Sequence, residues 1–87
     1  MKDSKVRLSV KNGSNGLDLY MTVDGTAHYV TTRRRSGYMW QQLKDGITLG
    51  ELRRVKPKKN KLSQKYFNSV NHLIKVADDF IKYELAA

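Results

Sequence analysis

Apolar and polar residues alternate along two stretches near the start of the chain, "KVRLSV" and "LDLYMTV". A period of two is typical of strands with one buried face. The linker between the stretches, "KNGSNG", is rich in turn-forming residues and predicts a loose hairpin. The apolar positions are Val6, Leu8, Val10, Leu17, Leu19, Met21 and Val23.

A second hairpin is predicted at "VDGT", where Asp24 and Gly25 suit a two-residue type I′ turn. Such a turn sets the pairing of the strands on either side. The predicted pairs are Val23 with Thr26, Met21 with His28, Leu19 with Val30 and, on the other face, Tyr20 with Tyr29. Thr22, Ala27 and Thr31 share that second face. Residues 5–32 are therefore predicted to form a three-stranded antiparallel meander.

The apolar spacing becomes helical after "RRRSG". "GYMWQQL" puts Met39, Trp40 and Leu43 on one side, and "TLGELRRV" begins with Thr48 and has Glu51 three residues on. The latter spacing predicts a capping box, in which each side chain satisfies a backbone N–H at the helix start. Pro57 disfavours helix at the residue before it. Two short helices are predicted within residues 37–56.

The last segment, residues 62–85, has the clearest helical pattern. Its apolar stripe is Phe67, Val70, Ile74, Ala77 and Ile81, flanked by Tyr66, Leu73 and Phe80. A helix of about 22 residues is about 33 Å long, and such a stripe must pack against something. The apolar sheet face, with Trp40 and Leu52, is the expected partner, while Val76 and Tyr83 lie on the back. The prediction is a single α+β domain over residues 1–87.

Charge is distributed unevenly along the chain, whose net charge is +9. Residues 1–32 carry four bases and three acids, residues 33–65 eleven bases and two acids, and residues 66–87 two bases and three acids. A segregated excess favours a polyanion-binding site over simple solubility. The chain has no cysteine, which excludes disulfides and thiolate zinc sites. No apolar run is long enough to span a membrane, so a cytoplasmic protein with no membrane contact is expected.

Two basic clusters are the candidate nucleic-acid-binding residues. Their members are Arg33, Arg34, Arg35, Arg53, Arg54, Lys56, Lys58, Lys59, Lys61 and Lys65. Bases at the end of the short helix suit its dipole, but the lysines around the start of the long helix oppose it. The lysines therefore lower the local stability of the helix start unless an anion is bound, which favours an anion-binding surface. The alternative is a solvated basic loop.

Tyr20 and Tyr29 are also candidates. As a cross-strand pair they would stabilise the hairpin; as a platform they would stack on unpaired bases; or another chain would cover them. His28 is expected in or beside the core. The sequence has no metal-ligand spacing, catalytic carboxylate pair or phosphate-binding glycine motif, so no cofactor, no metal and no enzymatic activity are predicted.

One short stretch resembles a known family. "LKDGITLGELRR" resembles the start of the second helix of a winged helix-turn-helix DNA-binding domain, with "KLSQKYFNSVNHLIK" in the place of the recognition helix. The resemblance covers about 30 residues and implies DNA binding. The connector "VKPKKNK" is longer than the usual turn of about 3–4 residues. The large apolar residues of the second stretch occupy positions where base-reading side chains are wanted.

These patterns favour a small non-enzymatic accessory or regulatory protein that binds nucleic acid, DNA more than RNA and most simply duplex DNA. Such a chain suits a bacterial or mobile-element setting. Its affinity would come chiefly from phosphate contacts. The alternative is a protein-interaction module that docks an acidic partner or self-associates through the back of the long helix. A monomer or weak dimer is expected.

Overall fold

The computed structural model describes residues 2–34, 40, 42–55 and 61–85 and contains one antiparallel sheet of four strands. The strands are β1 (Val6–Gly13), β2 (Gly16–Val23), β3 (Thr26–Arg33) and β4 (Ile47–Thr48), in the order β3-β2-β1-β4. The α+β class with an antiparallel sheet and a C-terminal helix is confirmed. The prediction of three strands is wrong because β4 is only two residues long and pairs with Arg7 and Leu8 of β1. A strand that short has no alternation to detect.

All but one of the described helical segments follow β3 in the chain. They are a 3₁₀ turn at Gln42–Asp45, α1 at Leu49–Arg53 and α2 at Lys61–Phe80, which continues as a π-helical turn over Ile81–Leu85; another 3₁₀ turn, Asp3–Lys5, precedes β1. Of the two short helices predicted within residues 37–56, only α1 is an α-helix of several residues in the described part. Residues 35–39 and 41 lie outside it. None of the described helices combines the length and apolar character needed to cross a membrane.

Both hairpin turns are tight. Asp24 has a φ of 51° and Gly25 a φ of 80°, and two successive positive φ values are what the predicted type I′ turn requires. The first hairpin also closes tightly, because Gly13 pairs with Gly16 across only two residues. The expectation of a loose hairpin there is therefore wrong. Gly16 makes this closure possible with a φ of 131°, a conformation that is essentially restricted to glycine.

A β-bulge changes the pairing of β2 with β3. The predicted pairs hold from Val23–Thr26 to Tyr20–Tyr29, but the register then shifts so that Leu19 lies opposite Thr31. The prediction that Leu19 opposes Val30 is wrong, and Thr31 belongs to the inner face. A bulge inserts one residue and reverses the sides of those that follow. Arg33 consequently lies opposite Leu17 on the inner face.

The core lies between the inner face of the sheet and the helices. Fourteen buried apolar residues of the described part of the chain form one cluster: Val6, Leu8, Val10, Leu17, Leu19, Met21, Val23, Trp40, Leu43, Leu49, Leu52, Val70, Leu73 and Ala77. Every inner-face residue predicted for β1 and β2 is buried. The expected packing of the long helix against this face, with Trp40 and Leu52, is confirmed.

The apolar side of α2 is centred differently from the prediction. Leu73, expected as a flank, is fully buried with Val70 and Ala77, whereas Ile74 is half-buried. Val76, expected on the back, packs against the core and is half-buried. The buried side is therefore centred on positions 70, 73 and 77, so the polar side of α2 faces directly away from the sheet.

Candidate nucleic-acid interface

The described arginines lie at two ends of the sheet. Arg33 ends β3 opposite Leu17, close to the first hairpin turn. Arg53 instead bonds Asp3, which precedes β1 at the end where Val6 pairs with Val23. Arg34 follows Arg33 and is exposed. The two basic clusters therefore do not meet through Arg33 and Arg53, because the length of the sheet separates these residues.

Arg53 is held by two carboxylates. Its Nε donates to Asp3 Oδ2 at 2.7 Å and its guanidinium pairs with both oxygens of Asp78 on α2. The hydrogen bond to Asp78, then that to Asp3, raises the pKa of Arg53 above its ordinary value, against an opposing contribution from partial burial. Arg53 thus connects the N-terminal turn, α1 and α2, an arrangement that favours a structural role. Arg54, the C-cap of α1, is exposed.

Glu51 and Thr48 fix the start of α1. Thr48 Oγ1 accepts a hydrogen bond from the Glu51 backbone N–H at 3.1 Å and donates to Glu51 Oε1 at 2.9 Å. The first of these bonds is the predicted cap. The reciprocal bond differs from the prediction, since Glu51 binds the Thr48 hydroxyl and not its backbone N–H. The cap positions α1, and with it Arg53 and Arg54, beside the sheet.

Arg33 packs on Trp40. Its guanidinium carbon lies 5.1 Å from the centre of the indole ring, within the range of a cation–π contact. Trp40 is 1% exposed, and no described residue accepts a hydrogen bond from its buried Nε1. The bulge is what makes this contact possible, because it turns Arg33 to the inner face. A stacked guanidinium still presents N–H donors in its plane to an acceptor such as phosphate.

The start of α2 lies toward the Arg33 end. The other half of α2 is at the Arg53 end, since Asp78 bonds Arg53 and the Phe80 ring lies 6.3 Å from that of His28. With a rise of about 1.5 Å per residue, Lys65 is about 20 Å along the axis from Asp78. Lys65 is exposed. The geometry therefore brings Lys65 and Arg34 toward one end of the molecule.

Four candidate residues lie outside the part of the chain that the structure describes: Arg35, Lys56, Lys58 and Lys59. Lys61 is the first residue of α2, and its backbone alone is described. Their predicted role in binding anions stays a prediction.

The outer face of the sheet carries Tyr20 and Tyr29. Their ring centres are 6.0 Å apart in an edge-to-face arrangement, so the predicted cross-strand pair exists. Lys11 Nζ covers the Tyr20 ring at 5.5 Å, whereas Tyr29 is 55% exposed. Because one ring is covered and the other is open, Tyr29 is the better placed of the two to stack on a base.

Hydrogen bonds hold the open tyrosine in place. The Tyr29 hydroxyl bonds Thr32 Oγ1, and Thr32 donates to Asp18 Oδ1 at 2.6 Å. The bulge creates this chain as well, because it turns Thr32 to the outer face opposite Asp18. On the same face, Arg7 donates to the backbone oxygen of Asp45 at 2.9 Å. The side chains on this face are thus largely fixed by contacts within the protein.

A polar stripe on α2 was not recognised among the candidate residues. Gln64, Asn68, Asn71 and Lys75 are exposed, and they recur every three or four residues on one side of the helix. Gln64 Nε2 donates to Asn68 Oδ1 at 3.1 Å. The resemblance to a recognition helix implied this stretch, but its apolar residues were expected on the base-reading side. Burial of Val70 and Leu73 shows that the amides face outward.

A groove of about 500 Å³ separates β3 from the second half of α2. Its walls include Val30 and Arg33 on the strand and Val76, Phe80 and Tyr83 on the helix. Tyr83 is 62% exposed. The groove therefore presents aromatic and apolar surface next to β3, which is an edge strand of the sheet.

No three His, Asp or Glu side chains in the described ranges cluster as metal ligands would. Comparison with known proteins adds no family: no protein-family model, curated protein or solved structure matches this chain. Inference about function therefore depends on the chain's own residues.

Proposed function

We propose that this protein is a non-enzymatic nucleic-acid-binding protein that prefers DNA to RNA and binds chiefly through phosphates. The observation that carries the proposal is the charge excess of its middle third. Residues 33–65 hold eleven bases and two acids, and both ion pairs found among the described residues belong to Arg53. Eleven bases against two acids leave a net charge of +9 in this segment, which an external polyanion would neutralise.

The proposed contacts are at the Arg33 end of the molecule. Arg34 and Lys65 are exposed there, and the segment that contains Lys58, Lys59 and Lys61 leads directly into α2. Lysines at a helix start are disfavoured by the helix dipole, so a bound phosphate would relieve a local electrostatic cost. Accessory or regulatory roles would suit a small protein with such a surface.

Salt dependence tests the proposal. Mobility-shift titrations on mixed-sequence duplex DNA, single-stranded DNA and RNA are repeated at two salt concentrations. Affinity should fall with salt at a log–log slope of about −0.9 per phosphate contacted on duplex, so five or six contacts give about −5. Absence of binding to all three nucleic acids at low salt would overturn the proposal.

Charge-neutral variants locate the contacts. Replacing Lys58, Lys59 and Lys61 together by Gln should reduce the magnitude of the slope by about 2 to 3 and weaken binding about equally on all sequences. The matched control replaces Lys2, Lys5 and Lys82, which are exposed and lie toward the Arg53 end, and should change the slope much less. Equal effects of the two triple variants would mean that net charge acts without a defined site.

The groove beside β3 favours a second candidate function, a protein-interaction module. Its exposed Tyr83 and half-buried Val76 offer a surface for an acidic partner's apolar residues or for a second copy of the chain. Because the exposed apolar area is small, a monomer or weak dimer is expected. Sedimentation at micromolar concentrations is the test. A tight dimer that Tyr83→Glu dissociates would favour this alternative.

A further inference from the structure

The outer side of the first half of α2 carries side-chain amides. Gln64, Asn68 and Asn71 form one exposed stripe, which Lys75 extends by a turn. Fully buried Leu73 faces the sheet, so the stripe points directly away from the core. Nothing in the described structure covers these amides apart from the contact of Gln64 with Asn68.

A surface helix that only needs to be soluble has a different composition. It commonly pairs acids with bases four residues apart and uses strong helix formers. From Lys61 to Ala77 the helix has no Asp or Glu, so Lys65 has no acid within a turn of it. Asn is a weak helix former in a helix interior. Asn68 and Asn71 therefore lower the stability of the helix at exposed positions, where packing against the core does not require them.

Side-chain amides match adenine in the major groove. Asn and Gln can accept from adenine N6 and donate to N7 at the same time. The bond from Gln64 Nε2 to Asn68 Oδ1 orients both amides and leaves the Gln64 oxygen and the Asn68 NH₂ group available to a ligand. Two prearranged amides lose less conformational entropy on binding than two mobile ones.

Charge along α2 fits the same partner. Lys65 and Lys75 are exposed on either side of Asn68 and Asn71 along the helix. Lysines at these positions can contact phosphates and position the helix on the duplex. Asp78 is paired with Arg53, but the exposed Asp79 would repel phosphates, which limits the contact to the first half of α2.

We infer that the first half of α2 lies in the major groove of duplex DNA and reads adenine-containing base pairs with Gln64, Asn68 and Asn71. Lys65 and Lys75 position the helix on the phosphates. This inference rests on the proposed nucleic-acid binding and adds the strand state, the groove and the reading residues to it.

The first experiment is a selection from duplex DNA with a randomised central segment. The full-length protein should enrich a site that contains adenines. Replacing one of those A·T pairs should weaken binding about 5- to 150-fold, the range for one bidentate base contact. Binding with no enriched position would overturn the inference and leave the proposed function standing, whereas no binding to any duplex would overturn both.

Two alanine variants then identify the reading residues. Asn68→Ala and Asn71→Ala should each reduce the difference in affinity between the selected site and the site with one A·T pair replaced. The salt dependence of binding should stay the same. Asn12→Ala makes the same chemical change at an exposed position on β1 and should keep the preference. If both α2 variants discriminate as the unaltered protein does, the amides do not read bases.

A stability measurement separates reading from folding. Because Ala is the stronger helix former, the protein with both Asn68→Ala and Asn71→Ala should melt about 2 to 8 °C higher. Lost discrimination together with a raised melting temperature would support the inference. A lowered melting temperature would assign the two residues to the fold and overturn it.

Discussion

The outer side of α2 and the outer face of the sheet lie on opposite sides of one core and present different kinds of surface. On the sheet, Tyr29, Thr32 and Asp18 are joined by hydrogen bonds, and Lys11 covers the Tyr20 ring. On α2, amides and lysines point outward with one hydrogen bond between side chains of the stripe. Polar groups that already form hydrogen bonds with one another leave few free donors and acceptors for a ligand. The helix surface is therefore the better candidate for reading bases, and the sheet surface contributes an open aromatic ring.

The largest effect on stability is expected from a substitution that weakens the packing of α2 on the sheet and so disturbs both surfaces. Leu73→Ala should lower the free energy of unfolding by about 2–5 kcal/mol, because it leaves a cavity in the core. Ile74→Ala should cost less since that residue is half-buried, and Lys75→Ala should stay within about 0.5 kcal/mol. Chemical denaturation measures all three. Equal losses at positions 73 and 75 would show that the buried side of α2 is misassigned.

A smaller change acts on the end of the sheet where Arg33 and the first hairpin meet. A Cβ at Gly16 would lie 2.0 Å from the Arg33 backbone oxygen, and its φ of 131° disfavours any other residue. Gly16→Ala should therefore cost at least about 1–3 kcal/mol. As a control, a Cβ at Gly50 meets nothing closer than 3.6 Å, so Gly50→Ala should gain about 0.4–1 kcal/mol. Thermal melts of the two variants should move in opposite directions.

The third change tests how the second half of α2 is held. Arg53→Gln removes the ion pairs to Asp3 and Asp78, whose side chains are 42% and 46% exposed. Exposed pairs are weak, so the two together should contribute about 0.4–2 kcal/mol. Urea denaturation at low and high sodium chloride should show the difference shrinking with salt. Arg54→Gln, which removes an exposed arginine without an ion pair in the described structure, should have little effect; an equal loss would argue against the ion pairs.

The smallest effect on stability is expected on the sheet surface. Tyr29→Leu removes one cross-strand aromatic contact and should cost about 0.2–1 kcal/mol by thermal denaturation. Duplex affinity should be unchanged, because a tyrosine ring stacks on bases only when they are unpaired. Tyr83→Leu, at the other exposed tyrosine, is the matched control. A drop in duplex affinity for Tyr29→Leu alone would place the sheet surface in the duplex-binding site.

Much of the fold could be predicted because it depends on local patterns. Alternating residues identified the inner face of β1 and β2, the Asp24-Gly25 turn set the first four pairs of the second hairpin, and helical spacing located α2. Each of these features is determined by neighbours within a few positions along the chain. The α+β class follows once both periodicities are recognised in order.

Other features depended on contacts between residues far apart in the sequence. β4 exists because Ile47 and Thr48 pair with β1, and the bulge places Arg33 on Trp40 and Thr32 beside Asp18. Neither event leaves a periodic signal in the sequence. The sequence also does not distinguish Arg53 from its basic neighbours, because its partners Asp3 and Asp78 come close to it only in the folded chain.

The candidate site divides in the same way. Composition alone determined that the middle third carries the excess charge, since counting residues requires no coordinates. Which cations remain exposed, which aromatic ring is open and which side of α2 faces outward were decided only by the packing of the helix on the sheet. Burial of Val70, Leu73 and Ala77 sets the orientation of α2 about its axis. This orientation is what exposes Gln64, Asn68 and Asn71 to solvent.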